Sequence, residues 1–107
     1  MTTIELHLRI RVKPGGREAL LSFLREAVPF YESPGGITMR LLEDHDDPDR
    51  FVEVVEYASE RAYQDDQRRV EHDEKMKSYL KRWRNLLAEP PAVEVFGVVP
   101  RTSIKET

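Results

Sequence analysis

An acid set in an apolar strand is the first place in this sequence where chemistry could happen. The stretch Phe51-Val52-Glu53-Val54-Val55-Glu56-Tyr57 alternates into two sets, with Phe51, Glu53, Val55 and Tyr57 on one side and Val52, Val54 and Glu56 on the other. Both sets are largely apolar, the pattern of a central strand covered on both faces. A lone buried carboxylate costs several kcal/mol unless it is paired or protonated, so Glu53 needs a partner, a proton or a purpose. Glu53 and Tyr57 share a strand face at an expected separation of about 7 Å, and Tyr63 starts the following helix and can lean back over the strand. A carboxylate raised in pKa by burial could act as a base toward a phenolic substrate while tyrosines hold the substrate oxygen. The structural alternative is that Glu53 pairs with an arginine or lysine, Arg61 for instance, and that the tyrosines fill the core.

The other groups with chemical potential are the three histidines. His72 has an unperturbed pKa near neutrality and could serve as a general base or substrate ligand, although it sits among Glu71, Asp73 and Glu74 as a surface or helix-start residue would. His7 alternates with Arg9 on a strand and reads as an interface contact. His45 lies with Asp44, Asp46 and Asp47 in a loop that lacks the spacing of a calcium site. The chain has no cysteine, which removes disulfides, thiolate metal sites and a cysteine nucleophile. A structural zinc needs four nitrogen or sulfur ligands as a rule, and three scattered histidines do not supply them, so no metal and no cofactor is expected.

Positioning these groups is the work of a chain of 107 residues, enough for one core. Charged residues make up 35% at a net charge of -3, so the surface is mixed and gives no electrostatic case for nucleic acid or an anionic membrane. Lys75, Lys77, Lys81, Arg82 and Arg84 form a basic helix face that reads as solvated. No apolar run approaches the length of about 20 residues that spans a membrane, and no charged-then-apolar leader is seen, so a cytoplasmic protein is the expectation.

Ile4–Val12 alternates strictly and predicts a strand, stopped by Lys13-Pro14-Gly15-Gly16. Leu20, Phe23, Leu24, Ala27 and Tyr31 recur at helical spacing over Arg17–Tyr31, with Pro29 expected to kink or end the helix near Ala27–Val28. Ile37–Glu43 reads as a second strand, Asp44–Arg50 as an exposed hairpin loop, and Phe51–Tyr57 as the third strand. Ser59 is a natural N-cap for a weakly amphipathic helix to about Val70, with a break near Glu71-His72-Asp73. Met76, Tyr79, Leu80, Trp83, Leu86 and Leu87 predict a helix over Glu74–Leu87, in which Trp83 and Tyr79 read as core. Ala92–Val99 is the last strand, residues 1–99 form one domain, and 100–107 form a polar tail that frays or drapes over a neighbour.

The order β-α-β-β-α-α-β gives an α+β, ferredoxin-like split βαβ fold with a four-stranded antiparallel sheet, its first and third strands central. The helix-facing set is Ile4, Leu6, Leu8, Ile10 and Val12, Ile37, Met39 and Leu41, Phe51, Val55 and Tyr57, and Val93, Val95 and Val99. That leaves Val52, Val54, Leu42, Phe96 and Val98 on a sheet face with nothing in the chain to cover it, which predicts a two-fold homodimer through that face.

The runs Asp46-Asp47-Pro48-Asp49-Arg50-Phe51-Val52, Glu56-Tyr57-Ala58-Ser59-Glu60-Arg61-Ala62 and Leu86-Leu87-Ala88-Glu89-Pro90-Pro91-Ala92-Val93-Glu94-Val95 resemble the antibiotic biosynthesis monooxygenase-like family. The resemblance spans Ile4 to Val99 and implies a small dimeric α/β barrel. Some such proteins oxidise quinols or polyketide aromatics with O2 and no metal or flavin; others degrade haem, isomerise or bind small molecules. It implies that Glu53, Tyr57 and Tyr63 line a pocket between sheet and helices. Where the family has a tryptophan before Ser59 this chain has Tyr57, and the helical histidine position falls near Asp66, leaving His72 as the stand-in further along. Haem-degrading relatives pair a first-strand asparagine with that tryptophan and a helical histidine; those positions fall on His7, Tyr57 and near Gln67. Two functions follow from this reading: a cofactor-independent monooxygenase or related enzyme acting on a small aromatic or quinol, and, as the alternative, a non-catalytic small-ligand-binding or assembly module on the same fold.

Overall fold

The structure, a computed structural model, describes residues 3–105. Its elements follow the order β1 (Ile4–Arg11), α1 (Arg17–Glu32), β2 (Ile37–Glu43), β3 (Arg50–Tyr57), α2 (Glu60–His72), α3 (Glu74–Arg84), β4 (Ala92–Gly97) and α4 (Arg101–Ile104). The sheet is antiparallel with strand order β2-β3-β1-β4, so the two most apolar strands are central, as alternation requires. The fold is the α+β, ferredoxin-like arrangement. Its main core joins Ile10, Val12 and Phe51 of the sheet side to Leu20, Phe23, Leu24 and Ala27 of α1 and to Trp83 of α3. A smaller cluster of Ile4, Ile37 and Tyr57 sits at the other end of the sheet, with Ala62 and Tyr63 of α2 against it.

Four local expectations are corrected. Helix α1 runs through Pro29 to Glu32 instead of ending near Ala27–Val28. Proline removes one helical hydrogen bond, but the following turn is held from outside: Ser33 Oγ and the Arg69 guanidinium both donate to the Phe30 carbonyl. Gly35 and Gly36, at φ of 83° and 72°, then reverse the chain into β2, a left-handed pair that side chains disfavour. Helix α3 stops at Arg84, not Leu87, because Leu86 and Leu87 bend onto the sheet edge. There Leu87 bridges Val12, and Lys13 N–H donates to the Leu86 carbonyl. The break between α2 and α3 falls where expected, at Asp73, whose side chain accepts from Met76 N–H and caps α3. The last strand ends at Gly97, and the tail forms one exposed helical turn over Arg101–Ile104.

The helix-facing set is right in direction but not fully covered. Val93 and Val95 on edge strand β4 are 57% and 49% exposed. On the opposite face Leu42, Phe96 and Val98 are exposed as expected, whereas Val54 is buried within the single chain, with His7 and Arg40 flanking it on the neighbouring strands. That face is also laced with charge, including Arg9 Nε to Glu94 at 2.5 Å and His7 Nε2 to Glu5 at 2.7 Å.

Candidate active site

Four inward-facing sheet residues, Leu6, Leu8, Met39 and Val55, are only half buried although alternation points them at the helices. The reason is a cavity of about 230 Å³ between the sheet and the helices. They form its floor. Val70 of α2 and Met76, Leu80 and Trp83 of α3 form the roof, Tyr31 of α1 closes one side, and Pro91 and Val93 bound it at the β4 edge. Its lining is predominantly apolar, with the carboxyls of Glu53 and Asp66 among its polar members.

Glu53 is buried at 3% exposure, facing Leu8 and Leu41 on the strands either side. No cation among the described residues reaches it, and it is not alone: the Trp83 indole N–H donates to its Oε2 at 2.6 Å. Burial pushes the Glu53 carboxyl up to about 7, against the smaller opposing effect of the Trp83 hydrogen bond. Its Oε1 has no hydrogen-bond partner among the described residues and is not sealed away, since no buried polar side-chain atom there is left unpartnered. This oxygen is the group available to a ligand.

Tyr57 lines the same cavity, but Val55 separates it from Glu53 on the strand face. Four residues of rise place their Cα atoms about 13 Å apart, not the 7 Å expected, so the two do not act on one atom. The Tyr57 hydroxyl donates to Asp66 Oδ2 at 2.5 Å, and Asp66 Oδ1 accepts from Arg69 Nε and Nη2 at 3.1 and 2.8 Å. Arg69 also donates to the Phe30 and Tyr31 carbonyls at 3.0 and 2.6 Å, which ties α2 to the end of α1. Burial first, then the bond to Asp66, raises the Tyr57 phenol well above its ordinary value, so it stays protonated. Tyr63 packs edge-on against Tyr57 at 5.4 Å between centroids and lies outside the cavity lining. His72 is an exposed residue in the last turn of α2, near Glu71, and the structure does not bring it to the cavity.

The sequence reading missed Trp83, Asp66 and Tyr31. Trp83 and Tyr79 were read as core filler; Trp83 is core, yet its N–H is committed to Glu53. A buried tryptophan on a helix stripe must find an acceptor, and that was the available signal. Asp66 follows Ala62 by four residues and precedes Val70 by four, so its buried position was written in the helical period.

Residues 3–85 match the model of the antibiotic biosynthesis monooxygenase family. The chain belongs to this family. As a family member it is similar in fold to a Bordetella bronchiseptica protein assigned to the antibiotic biosynthesis monooxygenases, at 22% identity and TM-score 0.76 over 94% of this chain and all of that one. It is similar also to a Mycobacterium tuberculosis protein at 21% identity and TM-score 0.72, covering 92% of this chain and 97% of the other. A Nitrosomonas europaea protein of unknown function matches at 25% identity and TM-score 0.70, covering 94% and 92%. Among curated proteins none matches the chain. No described helix of this family member is long and apolar enough to cross a membrane.

Proposed function

We propose that the protein is a monooxygenase that oxidises a small flat phenol with O2, using Glu53 as the base. The observation that carries this is a buried carboxyl lining an apolar cavity, one oxygen without a partner among the described residues, its pKa pushed up by burial to about 7. A dry cavity of about 150 Å³ takes one benzene ring, so this one has room for one or two fused rings. Glu53 as carboxylate takes the phenolic proton, and the electron-rich ring then passes its electrons to O2. The ring C–H opposite becomes a second carbonyl and the remaining oxygen leaves as water: phenol plus O2 gives quinone plus water, the substrate supplying all four electrons. The reaction is written with no metal or flavin, as the sequence resemblance implies for some of the family. Oxygen uptake with 1-naphthol and a panel of naphthols and hydroquinones tests it. Uptake should rise with pH through about 7 as Glu53 ionises and be lost in Glu53→Gln; no uptake across the panel defeats the reading. Binding without turnover is the second reading, favoured by the Trp83 bond that already occupies one Glu53 oxygen.

We also infer a homodimer through the outer sheet face, supported by exposed Leu42, Phe96 and Val98 beside pairable charges. Because Val54 is buried within one chain, Phe96→Glu is the discriminating change. Sedimentation should show a dimer that this variant weakens, and a single-chain particle in the wild type would exclude it.

A further inference from the structure

Of the cavity's tyrosines, only Tyr31 has an uncommitted hydroxyl. Tyr57 donates its own to Asp66, and Tyr63 lies outside the lining. The Tyr31 hydroxyl has no hydrogen-bond partner among the described residues and is not sealed in the core. Its ring is fixed by Tyr79, edge-on at 6.0 Å. Tyr79 precedes Trp83 by one turn on α3 and Trp83 holds Glu53; Tyr31 lines the same cavity as Glu53, near enough for the Glu53 charge to act on its phenol.

The backbone that carries Tyr31 is fixed with unusual thoroughness. Pro29 has cost α1 a hydrogen bond two residues earlier. Arg69 meets the Phe30 and Tyr31 carbonyls with separate nitrogens, Asp66 fixes Arg69, and the Tyr57 hydroxyl fixes Asp66 from β3. A water could satisfy those carbonyls, but a planar, charged fork also sets their direction. We propose that Tyr31 is the donor that holds the substrate oxygen beside Glu53, and that Arg69, through the Tyr31 carbonyl, is the positioning residue that aims it. The inference rests on the reading of the cavity as the phenol site. Burial, and after it the Glu53 charge, raise the Tyr31 phenol above its ordinary value, so it keeps its proton and donates.

Trp83 is the only tryptophan in the chain and lines the cavity, so its fluorescence reports occupancy without turnover. The test titrates wild type, Tyr31→Phe, Arg69→Met and the double variant with 1-naphthol and with naphthalene, which lacks the hydroxyl. The wild type should prefer naphthol by about tenfold, the value of one good hydrogen bond in a dry site. Tyr31→Phe should lose most of that preference with naphthalene affinity unchanged. Arg69→Met should lose it as well, and the double variant should be no worse than Tyr31→Phe. An unchanged preference in Tyr31→Phe overturns the assignment, and further loss in the double variant overturns the role of Arg69. If Glu53→Gln abolishes oxygen uptake while Tyr31→Phe keeps the preference, only this inference falls. If the wild type binds neither probe, both readings fall.

Discussion

The cavity has a carboxylate toward each end, and the two are treated oppositely. Asp66 lies against the Arg69 guanidinium and accepts the Tyr57 hydroxyl, so its charge is matched and both oxygens are committed. Glu53 lies between leucines with one neutral donor, and burial pushes its carboxyl up to about 7. Residue type does not separate these acids; the neighbour does. A buried carboxylate given a cation becomes scaffold, and one given only an N–H becomes a group whose proton can move.

The largest effect should come from breaking the scaffold end. Arg69→Ala leaves Asp66 without its cation and the Tyr31 carbonyl without its side-chain donor, and should cost about 4 kcal/mol in urea denaturation. A loss under 1 kcal/mol would make the two ends alike.

Glu53→Gln should act in the other direction. Below about 4.5 both the folded and unfolded chains carry the Glu53 proton; between there and about 7 only the folded chain keeps it. Wild-type stability therefore falls as pH rises through that window, and the glutamine variant does not share the fall. At pH 8 the variant should be more stable by up to about 3 kcal/mol, with little difference near pH 4. A variant less stable at pH 8 would mean that Glu53 is a structural acid like Asp66.

Trp83→Phe sharpens the same end. It removes the one donor that opposes burial, so the Glu53 midpoint should move above 7, alongside a loss of about 2 kcal/mol from the missing hydrogen bond and packing. Carboxyl NMR titration of Glu53 reads the midpoint directly. A midpoint that stays put would deny Trp83 its role.

The smallest change concerns α2, which carries Asp66 and Arg69. Ser59 accepts from Ala62 N–H at its start, and Ser59→Ala should cost about 1 kcal/mol in thermal unfolding without altering the Glu53 midpoint. A shifted midpoint would show that the two ends are coupled.

Much of this was legible in the residues. Strict alternation in Ile4–Arg11 and Arg50–Tyr57 placed both central strands and turned Glu53 inward, because a two-residue period leaves no other face. Partners were harder to read. Trp83 lies thirty residues from Glu53 and Arg69 thirty-nine from Phe30, and nothing local in the sequence reports a contact at that range. Pro29 misled for a related reason, since two of the bonds that hold the turn after it come from Arg69 on another helix.

Strand β4 is the last strand of the sheet to leave the ribosome, and it pairs only with β1. A nascent chain that has reached Glu89 has the sequence for β1 to β3 and α1 to α3, but β1 still shows a bare edge, the kind of surface that recruits foreign strands. Pro91 and Val93 arrive with β4 and bound the cavity, so the cavity has its full wall only after β4 pairs with β1. For this protein, completion of the sheet and completion of the cavity wall are one event in synthesis, and a chain cut short before β4 lacks both.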